Sequence, residues 1–235
     1  MEKPQASVIV ATYNEADNLP KLIPSIHSAL KDAKITHEIL VVDDNSPDGT
    51  ADIAKKLSKK YPVRVVERPE KRGLIQADVD GFMNARADVI GCIDADFSHP
   101  PEKLPEMIRP VLEGMADITV GSKYTNEGKI KEDWPLKRRI FSWGAMMLAR
   151  PLSPVKDSVA GFFFFRRGVI EGVRFRNKGF KTLLEILVKG RYKKPLEVPI
   201  TFGDREAGQS KMGNTEIFDY LVHLSRLYLY KLIRR

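Results

Sequence analysis

Two aspartates two positions apart, Asp94 and Asp96, close an apolar run in the stretch CIDADFSHPP at residues 92–101. Ser98 follows at the same spacing, and two prolines come directly after His99. In extended backbone, side chains alternate with period two, so carboxylates at i and i+2 face the same ligand. Two hard oxygen donors open to solvent suit Mg2+ or Mn2+, cations that keep waters and accept phosphate oxygens as further ligands. A lone aspartate here would more simply cap the next helix. The pair, placed at the end of a strand-like run, points instead to a divalent cation holding a diphosphate.

Two further polar stretches share that placement. ATYNEADN (11–18) and VVDDNSPDGT (41–50) each finish a Val/Ile-rich run. Tyr13 can stack on a nucleobase, and the Asp44 carboxylate can accept from base N–H groups or ribose hydroxyls. Taken singly, Asn14, Asp17, Asp43 and Ser46 read as Asx turns and helix caps. Three polar strand ends on one sheet edge favour a nucleotide–diphosphate cleft.

The runs that must position these residues are short and continuously apolar: SVIVAT (7–12), EILVVDD (38–44), VRVVE (63–67) and DVIGCID (88–94). Unbroken apolarity of this length indicates strands buried on both faces, as in a parallel sheet. Helices are expected between them at 17–33, 48–60, 73–86 and 101–113, with SPDGT and HPP as N-terminal signals. The alternation gives an open α/β sheet, whose ligands lie beyond the carboxyl ends of the strands. DITVGS (117–122), AGFFFFRR (160–167) and PLEVPITF (195–202) read as three more strands. Residues 123–158 mix a glycine/lysine loop with a helix that is basic at its start and apolar afterwards. With no repeat, low-complexity tract or dividing linker, one domain over 1–235 is the simplest organisation.

The segment 215–235 is helical in period. Ile217, Tyr220, Leu221, Leu224, Leu227 and Tyr228 share a face, and Asp219, His223 and Arg226 mark the other. Its basic end and Tyr/Leu face suit a membrane interface, and packing on its own domain suits it equally. FSWGAMML (141–148) is an equally good interfacial candidate.

Composition bounds the rest. Of 235 residues, 43% are apolar and 30% charged, the balance of a soluble globular chain able to bury a sizeable core. Cys92 is the one cysteine, which excludes an intramolecular disulfide and fits a reducing compartment. No apolar run approaches the roughly 18 residues that span a bilayer. The amino-terminal residues lack a signal-peptide pattern, so any membrane contact is expected to be peripheral. A net charge of +8 fits an anionic partner: nucleic acid, an acidic lipid surface or a phosphorylated substrate. Acids at three strand ends would repel a nucleic-acid backbone, so nucleic acid is not expected.

In order, SVIVATYNEADNL, EILVVDDNSPDGT, DADFSHPPE, GSKY, WPLKRRIFSWGA, AGFFFFRRGVIEG, GFK with LLEILVKG, and PITFGDREAGQSKM resemble the dolichol-phosphate mannose synthases. These are inverting glycosyltransferases of the GT-A fold in family 2. TYNE, VVDD and DAD are shared by many family-2 enzymes. DADFSHPPE joined to FGDREAGQSKM is more specific, pointing to the polyprenyl-phosphate mannose branch.

The resemblance implies a GT-A, Rossmann-like sheet flanked by helices, with C-terminal amphipathic helices. It implies a donor half at 1–122 and an acceptor half at 123–235, the latter holding a basic loop (202–213) and an interfacial helix (215–235). Ala11, Tyr13, Glu15, Val42 and Asp44 match the guanosine-binding stretch. Asp94, Ala95 and Asp96 match the sugar-nucleotide and metal segment, and Ser98 stands where some members carry a further metal ligand. Lys123 and Arg138 match acceptor-phosphate positions, and Lys123 also belongs to the donor set. Arg205 and Lys211 match a basic loop over the bound donor, with Asp96 and Arg205 as the catalytic pair. Two departures stand out: Ala11 replaces a frequent proline, and Lys123 replaces an arginine, giving a point charge in place of a bidentate fork.

The implied reaction is metal-dependent transfer of mannose from GDP-mannose to dolichyl or polyprenyl phosphate, with Mg2+ or Mn2+ as cofactor. The implied setting is the cytoplasmic face of a membrane, reached through the chain's own helices or a membrane subunit. A phosphate monoester has a second pKa near about 6, so the acceptor is already a nucleophile and no general base is assigned. The site's work is then to join two anions, through Lys123, Arg138, Arg205 and Lys211. Gly203, Gly208 and Gly213 allow backbone N–H groups of the loop to approach phosphate. A family-2 transferase using UDP-glucose stays open, because pocket shape decides base and sugar. A sugar-1-phosphate nucleotidyltransferase would need a glycine-rich basic loop after the first strand, which this chain lacks.

Overall fold

A computed structural model of the chain describes residues 3–70, 73–131, 136–175, 181–203 and 214–233, with the side chains of 137, 138 and 214–217 left out. Nine strands appear among these residues: β1 (Ala6–Thr12), β2 (His37–Asp43), β3 (Val63–Glu67), β4 (Val89–Cys92), β5 (Ile118–Ser122), β6 (Lys129–Ile130), β7 (Phe163–Arg166), β8 (Pro195–Pro199) and β9 (Thr201–Phe202). The helices are α1 (Leu19–Asp32), α2 (Thr50–Leu57), α3 (Leu74–Asn84), α4 (Leu104–Leu112), α5 (Leu136–Ala149), α6 (Thr182–Lys189) and α7 (Asn214–Ile233).

Seven strands form one sheet in the order β3-β2-β1-β4-β7-β5-β8. Every neighbouring pair is parallel except those of β7, which runs antiparallel to β4 and β5. From β1 the chain builds outward through β2 on one side and returns to β4 on the other. The carboxyl ends of β1 and β4 therefore flank the reversal in strand order, the place where open α/β sheets form a ligand crevice.

Apolar side chains alternate between two cores. Val8, Val10, Ile39 and Val41 pack with α1 and α4, whereas Ile9, Leu40, Val42 and Ile90 pack with α3 and α6. The FFFF run splits the same way: Phe162 and Phe164 enter the first core, Phe163 and Phe165 the second. All four are at most 1% exposed, so each contributes about 1.5–3 kcal/mol by burial. β4 approaches β7 closely because Gly91 has no side chain; a Cβ there would sit 2.2 Å from the Phe163 carbonyl oxygen.

A third cluster joins Met146 and Ala149 of α5 to Leu184 of α6 and to Tyr220, Leu224 and Leu227 of α7. The expected strand at 195–202 divides. β8 stays in the large sheet, while β9 leaves to pair with β6. β8 ends at Pro199, and the next residue, Ile200, donates its N–H to the Ser122 carbonyl while its own carbonyl accepts from the Lys129 N–H, so the chain passes there from one ladder to the other. The expected polar face of α7 is also corrected. His223 is buried with Tyr220 and Leu224, its Nε2 3.6 Å from the buried Glu185 carboxylate, whereas Leu221 is exposed.

Candidate active site

Polar groups gather beyond the carboxyl ends of β1, β2 and β4. At the first two, most are engaged in building the turns. The Thr12 hydroxyl donates to Asp43 at 3.0 Å, and Asp43 accepts from the backbone N–H and hydroxyl of Ser46 at 2.9 and 2.6 Å. The Ser46 hydroxyl in turn accepts from the Asn14 N–H, which fixes Asn14 at a positive φ of 58°. Thr50 accepts from the Glu15 N–H, and the Glu15 carboxylate holds the Asn18 amide at 2.7 Å. Asp43 and Ser46 thus form an Asx-type turn. Half-buried Ala11, Tyr13 and Glu15 border the crevice side of this lattice, with Val42 buried beneath in β2.

Asp44 is 4% exposed. Its carboxylate accepts from Arg68 Nη1 at 2.5 Å and from the Gly73 N–H at 2.8 Å. Arg68 is itself buried, bridges to Asp80 through Nε at 2.9 Å, and leaves Nη2 without a partner. Asp44 is therefore locked in orientation by a guanidinium and a backbone N–H.

At β4 the strand stops at Cys92, so Asp94 lies just past the ladder and Asp96 in the turn that follows, not together on one strand as their spacing suggested. Both residues follow the carboxyl end of β4. Asp94 has a 39% exposed side chain, and Asp96 is 5% exposed and accepts from the Ser98 N–H at 3.1 Å. Ala95 and Ser98 are buried, and the Ser98 carbonyl accepts from the Gly203 N–H at 3.1 Å. His99 Nε2 lies 3.2 Å from Asp94 Oδ2. Gly161 also adjoins that carboxylate: a Cβ there would stand 2.6 Å from both oxygens.

Lys123 follows the end of β5. Its ammonium is buried 2.9 Å from Asp157 Oδ2 and lies 4.8 and 4.9 Å from the ring centroids of Tyr124 and Phe202. Asp157 is anchored by its N–H to Glu197 at 3.0 Å. Lys181, immediately before α6, stands in the combined field of Asp94, Lys123, Asp157 and Asp78. Burial pushes its ammonium below the ordinary lysine range, with Asp94 pulling the other way. Behind it, Thr182 donates to the buried Asp78 at 2.5 Å. Burial, opposed by that hydrogen bond and aided by the Asp94 charge, pushes Asp78 up to about 7.

The sequence-expected residues Asp94 and Lys123 are thus brought toward Lys181 and Asp157, which sequence reading missed, while Asp96 and Ser98 stay beside Asp94 in the chain. Lys181 stands in the quoted GFK motif, and Asp157 had no spacing signal. His99, Gly161 and Arg68 were also missed as site residues. Arg205 and Lys211 lie outside the described residues, as does the side chain of Arg138 on α5.

No cluster of three or more His, Cys, Asp or Glu side chains able to hold a metal occurs among the described residues. A closed structural metal site is therefore not formed by them. A pair of carboxylates with one side chain half open suits a hard cation that completes its shell from phosphate and water, so the donor set fits Mg2+ or Mn2+.

The sequence profile described as Glycosyl transferase family 2 matches residues 7–174. The chain belongs to glycosyl transferase family 2. This family-2 chain is 47% identical over 227 residues to a dolichol-phosphate mannosyltransferase of Pyrococcus furiosus, covering 95% of this chain and 63% of the relative. It is 38% identical to a dolichol-phosphate mannosyltransferase of Mycosarcoma maydis, covering 97% of this chain and 80% of that one. It thus spans less than two thirds of the archaeal relative's length and four fifths of the fungal one's. Among solved structures, a mannosyltransferase of Pyrobaculum calidifontis in complex with GDP-Man and Mn2+ superposes with a TM-score of 0.62 at 20% identity, covering 100% of this chain and 66% of that one. That likeness establishes the GT-A fold, a mostly parallel sheet between helices, for this family-2 chain.

Proposed function

We propose that the chain transfers mannose, with inversion, from GDP-mannose to the phosphate of dolichol or a related polyprenol. The observation that carries this reading is the Asp94–Asp96 edge at the sheet's reversal point, facing a cationic wall that includes Lys123 and Lys181. Two relatives named as dolichol-phosphate mannosyltransferases and the GDP-Man complex of a structural neighbour support the donor and acceptor.

In this reading Ala11, Tyr13, Glu15, Val42 and Asp44 bind the guanosine, and the Arg68 bridge fixes Asp44 for that contact. Asp94, Asp96 and Ser98 hold Mg2+ or Mn2+, which when bound offsets charge on the departing diphosphate. Lys123 and Arg138 receive the acceptor phosphate, and Arg205 and Lys211 close the anion set. The acceptor dianion needs no base, so the protein's task is to hold two anions in line at low repulsion. Asp157 keeps Lys123 at a fixed place in that wall. Donor binding falls to 1–122 and acceptor binding to 123–235.

Contact with the lipid surface is assigned to α5 and α7. Ile140, Phe141, Trp143 and Met147 on α5, with Phe218 and Leu229 on α7, are exposed apolar side chains. Among the described residues no helix is long and apolar enough to cross a membrane. In this reading attachment is interfacial at the cytoplasmic face, directly or beside a membrane subunit.

The test is incubation with radiolabelled GDP-mannose or UDP-glucose, dolichyl phosphate and Mn2+ or Mg2+, followed by butanol extraction. Lipid label from GDP-mannose is expected. Label from UDP-glucose alone would replace this reading with a glucosyltransferase.

A further inference from the structure

His99 is 2% exposed, and it touches the Asp94–Asp96 edge without belonging to it. Its ring packs against Phe162 and Phe202, with centroids 5.5 and 5.1 Å away. Nε2 lies 3.2 Å from Asp94 Oδ2, and Nδ1 is buried with no hydrogen-bond partner. The orphaned nitrogen assigns the tautomer. A proton on Nδ1 would be a buried donor without an acceptor, costing about 1–3 kcal/mol, and would leave Nε2 and Asp94 as two facing acceptors. A proton on Nε2 satisfies the carboxylate and leaves only a bare lone pair in the apolar wall.

Gly161 also packs against the same carboxylate, and its missing side chain leaves room for it. Asp94 is thus in contact with both a ring N–H and a bare Cα. Oδ2 is engaged by His99. The two aromatic walls stop the imidazole from rotating out of that line.

We propose that His99 is a positioning residue for the divalent cation: its Nε2–H fixes the Asp94 carboxylate in the orientation that receives the metal. The proposal rests on the metal–diphosphate reading above. Hydrogen-bonded partners of metal ligands typically contribute about 10–100-fold in metal affinity or activity when removed.

Two variants separate the ring's packing from its hydrogen bond. His99→Phe keeps the aromatic packing and lacks the donor; His99→Gln can place an amide N–H near the Nε2 position. Mn2+ binding is read by electron paramagnetic resonance in the presence of GDP, and metal-free melting temperature is recorded beside it. The expected result is an apparent Mn2+ Kd raised about 10–100-fold in His99→Phe with little change in melting, and most of that loss recovered in His99→Gln. Unchanged Mn2+ affinity in His99→Phe, or equal losses in both variants, would overturn the proposal. Ring 15N shifts of His99 in the wild-type protein give a variant-free check, with the proton expected on Nε2; a proton on Nδ1 overturns the proposal as well. Mn2+ binding promoted by UDP but not GDP would sink the donor assignment while leaving the His99 comparison intact. A wild-type protein that binds no Mn2+ with either nucleotide would remove both.

Discussion

Lys123 and Asp157 form an ion pair with side chains 6% and 1% exposed, and its disruption has a calculable cost. Asp157→Asn keeps the shape of the carboxylate and removes its charge, stranding the buried ammonium. Breaking one side of such a pair costs about 3–5 kcal/mol, because the remaining charge loses its partner but not its burial. The rings of Tyr124 and Phe202 stay beside the ammonium, and cation–π attraction of about 0.5–2 kcal/mol moves the expected loss to the lower end, near 3. For a domain of this size about 1 kcal/mol shifts Tm by roughly 2–4 °C, so Asp157→Asn should melt about 6–12 °C lower. Lys123→Met leaves the carboxylate with the Lys123 N–H and the Lys181 charge as remaining support, and should cost a similar amount. Combined, Lys123→Met and Asp157→Asn leave no buried charge, and replacing a whole pair is often close to neutral. The four proteins are compared by urea unfolding as a double-mutant cycle. A double variant as unstable as the sum of the singles, or single variants within about 1 kcal/mol of wild type, would refute the reasoning.

Two other outcomes follow from the same geometry. Gly161→Ala pushes a methyl toward both Asp94 oxygens, from a distance of 2.6 Å, so kcat/KM for mannose transfer should fall about tenfold or more while melting changes little; normal kinetics would show that Asp94 can move freely. Asp78 has a folded pKa raised from 3.8 to about 7. Its stabilising contribution is therefore complete below the unfolded value and is lost as pH rises through about 7, up to an order-of-magnitude limit of about 4 kcal/mol. Asp78→Asn should flatten the metal-free stability profile between pH 4 and about 8, measured by denaturant unfolding; an unchanged slope would contradict the assignment.

Much of the sheet was legible because buried parallel strands write themselves as unbroken Val/Ile runs. β3 has the bounds its VRVVE run suggested, and β1, β2 and β4 fall within one or two residues of theirs. The direction of β7 was not legible, since FFFF is buried on both faces whichever way it runs. The break at Pro199 was hidden inside an apolar pattern that continues on both sides of it. His223 misled for a different reason: a polar side chain can sit on a buried helix face when another element supplies a buried charge, and Glu185 lies 38 positions away in sequence.

The site divides along the same line. Acids at strand ends are local features, and Asp94, Asp96 and Asp44 could be read from them. The partners that orient these groups are distant in sequence. Arg68 meets Asp44 across 24 positions, and Lys123 meets Asp157 across 34. His99 is near Asp94 in sequence, yet its role depends on the Phe162 and Phe202 walls and on Gly161 beside the carboxylate. Spacing alone carries none of that.

The central claim is that Asp94 and Asp96 bind a divalent cation that in turn secures the nucleotide diphosphate. Calorimetric titration of GDP with and without Mn2+, into wild type, Asp94→Asn and Asp96→Asn, tests it most directly. The wild type should bind GDP about tenfold or more tightly with Mn2+, and both variants should lose that gain while melting normally. GDP affinity that ignores Mn2+ in the wild type, or a Mn2+ gain that survives in both variants, would contradict the account.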